Sequence, residues 1–343
     1  MKKNKTQKIK TQKGVTLIEL LVGIAIFSII IAGVYGVYVS QLKHTTREHR
    51  IAESEMELEI VKNFIERDIA MAGYGLADDY GGLGFSPVGI GATNSDPDTL
   101  TLMGTALGRL SRSSQGWSYI MTSTPTFQIW GDVREDVQAG DRVIYMEPNT
   151  KTLLSSGGTW LFTYPASPTT ERGTLVYGLH TENSNFPYYA VEYRLGGNPP
   201  NFCANGTQSL LRAESKDNIP PIPQEREPIL DCVLDFQIAF GLDTNEDGTI
   251  DLWDNGGVQA SIYDSKGLRD RLKQVRLYIL VQLGMRDPDF TYSNPDPAYI
   301  ANPDRIWVGD SGIGTGREIT LTTEQRRFRW RVISLSITPK NIR

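Results

Sequence analysis

Between Leu20 and Val39 the chain runs for twenty residues without a charge, and no other feature limits its possible folds so severely. At ~1.5 Å rise per residue such a segment spans roughly 30 Å as a helix, the thickness of a bilayer's hydrocarbon core. The sequence therefore predicts a membrane helix. One residue is out of place. Glu19 stands at the mouth of the run, where burial of a carboxylate in lipid costs on the order of 2.5 kcal/mol or more unless it meets a cation. Ahead of it lie six lysines (Lys2, Lys3, Lys5, Lys8, Lys10, Lys13) and no acid, closed by Gly14. A cut after Gly14 creates a cation at the Val15 α-amino group, four residues from Glu19, and the same group on a neighbouring subunit would neutralise the carboxylate. That pairing predicts self-association through the helix.

The string Lys13-Gly14-Val15-Thr16-Leu17-Ile18-Glu19-Leu20 resembles the class III leader of type IV prepilins and type II secretion pseudopilins. The resemblance implies cleavage after Gly14 by prepilin peptidase, N-methylation of Val15 as the first mature residue, and Glu19 as the fifth. The family usually has Phe where this chain has Val15. An ordinary secretory signal fits less well: its apolar region is about 7–15 residues long, whereas here the run is longer, Glu19 interrupts its start, and Val34-Tyr35-Gly36 is a poor cleavage site. An uncut signal anchor accounts for the lysines by the positive-inside rule but not for the Gly-Val-Thr-Leu-Ile-Glu string.

A chain of 343 residues suffices for this helix and one sizeable domain, or two small ones. Loss of the six leader lysines takes the formal charge from -5 to about -11, which argues against a generally polybasic or nucleic-acid-binding surface. Cys203 and Cys232 are too few for a metal cluster. With the lysine-rich end held inside, the domain lies outside the inner membrane, where an oxidising compartment favours one disulfide between them; two free buried thiols are the alternative.

The helical pattern outlasts the membrane. Residues 41–72 contain neither Pro nor Gly, and Leu58, Val61, Ile65, Ile69 and Ala72 recur at spacings of three and four, with Glu57, Glu59, Lys62 and Glu66 off that stripe. One helix from about Thr16 to Ala72 is expected, ending at Gly73, which suits a left-handed cap. Its end, Glu66-Arg67-Asp68-Ile69-Ala70-Met71-Ala72-Gly73-Tyr74-Gly75, resembles the end of the long helix in PilW-type minor pilins. Residues 73–97 read as a connecting loop. Beyond them β-rich runs follow at Thr99–Met103, Trp117–Trp130, Arg142–Met146, Thr159–Tyr164, Thr174–Leu179 and Tyr188–Arg194. Leu230, Cys232, Leu234, Phe236, Ile238 and Phe240 alternate with Asp231, Asp235 and Gln237, which puts Cys232 inward. The Pro-rich Ile219–Pro228 segment reads as a loop before that strand. Val275 to Leu283 forms another strand, and the parity change between Phe328, Trp330, Val332 and Ile333, Leu335, Ile337 predicts a bulge near Val332.

The stretch from Asp243 to Asp254 matches a calcium loop: Asp243, Asn245 and Asp247 at positions 1, 3 and 5, Gly248 at 6, the Thr249 carbonyl at 7, Asp251 at 9 and Asp254 at 12. Asp at position 12 in place of Glu predicts a weaker site. A metal-free turn rich in Asp, Asn and Gly is the alternative, but four carboxylates in twelve residues repel one another without a cation. Arg326, Arg327, Arg329 and Arg331, interleaved with Phe328 and Trp330, read as the solvated side of a strand rather than a DNA surface. His44, His49 and His180 have no catalytic or metal partner at a meaningful spacing, and no catalytic constellation is present.

The expectation is an α+β, type IV pilin-like fold: leader 1–14, transmembrane or filament-core helix 15–40, amphipathic continuation 41–75, and a β-rich domain 76–343. The resemblance implies a PilW-like minor pilin, anchored in the inner membrane with its domain periplasmic and then built into a fibre. Its partners would be prepilin peptidase, the pilus assembly platform, other minor and major pilins and a tip adhesin. A J-type pseudopilin of a type II secretion system and an exported calcium-dependent adhesin or DNA-binding module are the alternatives. Nothing supports a membrane-anchored hydrolase.

Overall fold

The computed structural model describes residues 14–81, 87–108, 111–122, 126–180, 186–215 and 225–342; the leader lysines and part of the Ile219–Pro228 segment lie outside them. In chain order the elements are α1 (Leu17–Met71), β1 (Ile90–Thr93), β2 (Thr99–Gly104), α2 (Arg112–Gln115), β3 (Trp117–Tyr119), β4 (Arg142–Met146), β5 (Phe162–Thr163) and β6 (Leu175–Gly178). There follow β7 (Tyr189–Gly196), β8 (Gln208–Ser215), β9 (Glu225–Leu242), β10 (Leu252–Asn255), α3 (Ser265–Arg271), β11 (Leu272–Leu283), β12 (Arg305–Asp310), β13 (Thr315–Thr320) and β14 (Arg329–Ile337). Contacts divide the chain into a unit up to Ala52 and a unit from Glu53 onward.

In the first unit no residue of α1 is fully buried: Leu17 is 80 % exposed and Ile29 74 %. It is the only helix among the described residues long and apolar enough to cross a membrane. In the second unit the same helix is amphipathic. Leu58, Val61, Ile65 and Ile69 are buried in one core with residues of β1, β2, β7, β9, β11 and β14, each stabilising by roughly 1.5–3 kcal/mol relative to exposure. The helix stops where Gly73 turns to φ +81. A Cβ there would meet Ile342 Cγ1 at 2.6 Å, so both the left-handed turn and the close-packed tail require glycine.

Asp68 shares the buried stripe although it is charged. Its carboxylate accepts from Tyr193 Oη at 2.6 Å and Arg212 Nε at 2.9 Å, tying α1 to β7 and β8. Removing one member of such a buried pair typically costs about 3–5 kcal/mol because the other is left uncompensated. The pair therefore fixes how the helix sits on the sheet more than it adds net stability.

The main sheet has the order β1-β2-β7-β8-β9-β11-β14, with β10 also on β9, and every pairing is antiparallel. It bends far enough to bring the β1–β2 loop back to β9, three strands away. Asp98 makes that seam: its N–H reaches Phe236 O at 2.9 Å and its carboxylate accepts from Ile238 N at 2.8 Å. A second sheet, β3-β6-β4-β5, packs Ile144 and Met146 against Leu76, Tyr80 and Tyr188. The β12–β13 hairpin covers the outer face of β9, β11 and β14 through Ile306, Val308, Tyr278, Leu280 and Trp330.

That hairpin explains several departures from the sequence expectations. The change of parity in β14 needs no bulge, because its register with β11 is unbroken from Arg329 to Ile337; Trp330 faces the hairpin core and Ile333, Leu335 and Ile337 face the helix core. Asp235 and Gln237 are buried beneath the same hairpin instead of facing water, with Asp235 held by Arg317 Nε at 3.0 Å. In β9 the irregularity falls earlier, where Cys232 has φ +57 and the registers with β8 and β11 both slip. Leu230 and Val233 therefore join the helix core while Leu234 faces the hairpin. β9 also starts at Glu225 and takes in Pro228, opposite Leu211. Proline is tolerated there because β11 pairs with β9 only from Val233 onward, leaving that end with one neighbour. The expected Trp117–Trp130 strand reduces to β3.

Asp98 gives a pH test. Burial pushes its carboxyl up to about 6, with Asp235 adding to the rise and the Ile238 and Ser95 N–H groups and Arg317 opposing it. An acid whose folded value exceeds its unfolded value binds its proton more tightly when folded, so its contribution is largest below the unfolded value and is lost as pH rises through the folded one. Asp98→Asn keeps an acceptor for Ile238. In urea melts the variant should gain on the wild type from about pH 4.5 to about pH 7.5; a difference that does not change with pH contradicts the assignment.

Candidate functional site

The N-terminal segment is built around a reciprocal cap. Leu17 opens α1, so Thr16 is its N-cap and Glu19 its third residue. The Glu19 N–H donates to Thr16 Oγ1 at 3.3 Å, while Thr16 N and Oγ1 donate to Glu19 Oε2 at 2.9 and 3.0 Å. This is a capping box, signalled in sequence by Thr and Glu three residues apart. Glu19 thus has a local partner as well as the intersubunit role expected of it. Among the described residues Oε1 makes no hydrogen bond. Gly14 and Val15 precede the helix and are exposed, Val15 at 73 %. The Gly14–Val15 peptide bond is therefore exposed, beside the first helical turn.

The acidic loop joins β9 to β10. Asp243 is fully buried and accepts from Asp247 N at 3.0 Å and Gly248 N at 2.8 Å, with Lys273 Nζ at 3.2 Å. Burial works against its charge, but Gly248, Lys273 and Asp247 outweigh it and hold the carboxyl below its ordinary value. Thr249 donates from Oγ1 at 2.6 Å and N at 2.8 Å to Asp247, which also lies below the ordinary range. Asp251 accepts from Thr244 N at 3.1 Å and Asn245 N at 3.2 Å. Asp254 stands in β10 opposite Phe240, buried, with Oδ2 taking the Ala260 N–H at 2.7 Å. Among the described residues no three His, Cys, Asp or Glu side chains converge as a set able to hold a metal ion. The oxygens of Asp243, Asn245, Asp247, the Thr249 carbonyl and Asp251 fit a hard cation in kind, but their carboxylates point to the loop's own donors, and Asp254 serves the next turn.

Cys203 and Cys232 are joined as a disulfide with Cα atoms 5.1 Å apart and a sequence separation of 29. The bond fastens the β7–β8 loop to the irregular point of β9. The four arginines near the C-terminus are tied down by protein groups. Arg326 and Arg327 donate to the carbonyls of Tyr292 and Pro288, Arg329 lies 4.2 Å over the Phe290 ring beside Asp287, and Arg331 meets Glu55 at 2.9 Å. They brace the 287–292 loop and the helix and do not form a basic surface.

Residues 9–35 match a family profile described as the prokaryotic N-terminal methylation motif. Among solved structures the chain is similar to a type IV-like pilin from Thermus thermophilus, at 10% sequence identity and a TM-score of 0.37, covering 84% of this chain and 97% of that one. A search of curated proteins found no match. The methylation motif heads a long apolar helix that continues into a β-rich domain, and in that combination the chain is type IV prepilin-like. Motif and architecture are those of a structural protein, and they fit membrane anchoring by α1.

For the disulfide, closing a loop of this length stabilises by roughly 3–4 kcal/mol in the chain-entropy treatment. Cys203→Ser with Cys232→Ser should lower the unfolding free energy by about that amount under oxidising conditions; a variant as stable as the wild type shows that the bond contributes nothing.

Proposed function

We propose that this chain is a PilW-like minor pilin, cut after Gly14 by prepilin peptidase, N-methylated on Val15, and assembled with other pilins to initiate or cap a type IV pilus. The observation that carries this reading is the exposed apolar surface of the first part of α1, from Leu17 to Tyr38, beneath a methylation motif. An exposed face of that extent has to be covered by lipid, by other helices, or by each in turn. Glu19 supplies the selectivity: Oε2 stays with Thr16, and Oε1 receives the α-amino group of Val15 on an adjoining subunit. The domain is held periplasmic while the helix is in the inner membrane, and it lies on the fibre surface after assembly. A bulky β-rich domain suits a subunit present in few copies near a tip.

Glu19→Ala should leave the protein in the membrane but reduce its recovery in sheared fibres at least tenfold, and wild-type recovery would remove the charge pair from the account. Deletion of the gene separates the pilus reading from the pseudopilin one. Lost surface pili with normal protein secretion is the expected result, whereas intact pili with secretion substrates trapped in the periplasm would assign the chain to a type II system.

Calcium is part of the proposal for the 243–254 loop, with Asp243, Asn245, Asp247, Thr249 and Asp251 as ligands and Asp254 held back by Ala260. Binding requires Asp251 and Asp247 to exchange backbone donors for the ion. Millimolar calcium should raise the melting temperature of the wild type by several degrees and leave that of Asp247→Ala unmoved; equal melting of the wild type with and without calcium excludes the site.

A further inference from the structure

Where α1 ends, a half-open pocket of ≈ 230 Å³ lies between the Gly73–Leu76 turn, the C-terminal tail and the β3-β6-β4-β5 sheet. Three cationic side chains line it, Lys151, Arg269 and Lys340, together with Tyr177, and no acidic side chain does. Arg269 is already committed: it pairs with Asp78 and donates to Leu76 O at 3.1 Å. The side-chain ammonium groups of Lys151 and Lys340 make no hydrogen bond or ion pair among the described residues.

The plainest reason for lysines at this position is the negative end of the helix dipole. The carbonyls that would draw them are occupied. Asn341 Nδ2 caps Ala70 O at 2.8 Å, Tyr74 N takes Met71 O at 3.2 Å, and Ala72 N takes both Asp68 O and Ile69 O. The two ammonium groups are thus left to a shared cavity, where charges of one sign beside protein walls focus their field on whatever enters. At ~30 Å³ per water molecule the space holds about eight waters, enough for a phosphate or a short dicarboxylate.

We propose that this cavity is an oxyanion site, binding a carboxylate or phosphate group through Lys151 and Lys340 with the Tyr177 hydroxyl as a further donor. The occupant comes either from free small anions or from an acidic side chain of an adjoining subunit, and both present the same oxygens. Binding of a free anion is independent of the leader, of Glu19 and of the pilin reading; the subunit carboxylate rests on that reading.

The test uses the full chain in detergent at constant ionic strength, titrated with inorganic phosphate and separately with succinate, with thermal unfolding as readout. The wild type should be stabilised by several degrees, and Lys151→Gln with Lys340→Gln should weaken the apparent affinity about tenfold. Both lysines sit at the surface, so the double variant is expected to keep the wild-type circular dichroism; the single variants, each weakening binding in part, serve if it does not. A subunit carboxylate as the occupant is shown by phosphate dissociating wild-type oligomers that the double variant does not form, and a free anion by binding without any change in association. Equal responses of wild type and variants, or no response of the wild type to either anion, would overturn the proposal.

Discussion

Everything in this protein depends on one helix that meets two kinds of surroundings. From Leu20 to Val39 α1 is apolar over most of its circumference, and none of these residues is buried. From Leu58 onward the helix carries a stripe of Leu58, Val61, Ile65 and Ile69 that a curled sheet buries. A single continuous helix of 55 residues therefore has one part whose stability is supplied by its own domain and another that must find lipid or other helices. In the proposed reading this division lets one sequence serve first as an anchor and then as a building block.

The buried ion cluster at Asp68 belongs to that design. A stripe of Leu, Val and Ile slides with little penalty along an apolar sheet, because the hydrophobic effect has no direction. A carboxylate that must meet Tyr193 and Arg212 permits one register only. The glycine cap at Gly73, the Asn341 contact with Ala70 and the Arg331–Glu55 pair hold the same helix from its end and its flank. At the other extremity the Thr16–Glu19 box satisfies the first-turn donors before any neighbour arrives. In the proposed assembly, a subunit leaving the membrane carries a preformed helix start and an acceptor oxygen, so ordering its first turn adds little to the cost of docking.

The helix was legible in the sequence nearly to the residue, because twenty uncharged positions, a stripe at spacings of three and four, and a glycine at its end are local signals. Thr16 and Glu19 were equally local, yet the lipid cost of the carboxylate drew attention from the cap three residues away. Asp68 was visible as an acid on an apolar stripe, but its partners lie more than a hundred residues onward, and no spacing rule reaches them. The sheet failed where both of its faces are buried. Alternation presumes one wet face, and the β12–β13 hairpin removes it, so β14 changes cores without a bulge and Asp235 goes inside with Arg317. In β8, Gln-Ser-Leu-Leu-Arg-Ala-Glu-Ser carries no clean period, and β9 admits Pro228 only because that end lacks a second neighbour. In the acidic loop the spacing from Asp243 to Asp251 was plain, whereas the use of Asp254 by the Ala260 turn depended on where β10 begins.

The account rests on the chain being cut after Gly14, since only then does an α-amino group exist for a neighbour's Glu19. The most direct measurement is mass spectrometry of the N-terminal peptide of the protein recovered from membranes and from sheared fibres. The account predicts a peptide that begins at Val15 and bears one methyl group on its α-amino nitrogen in both fractions. A chain that keeps residues 1–14, or one cut beyond the apolar run, would contradict it.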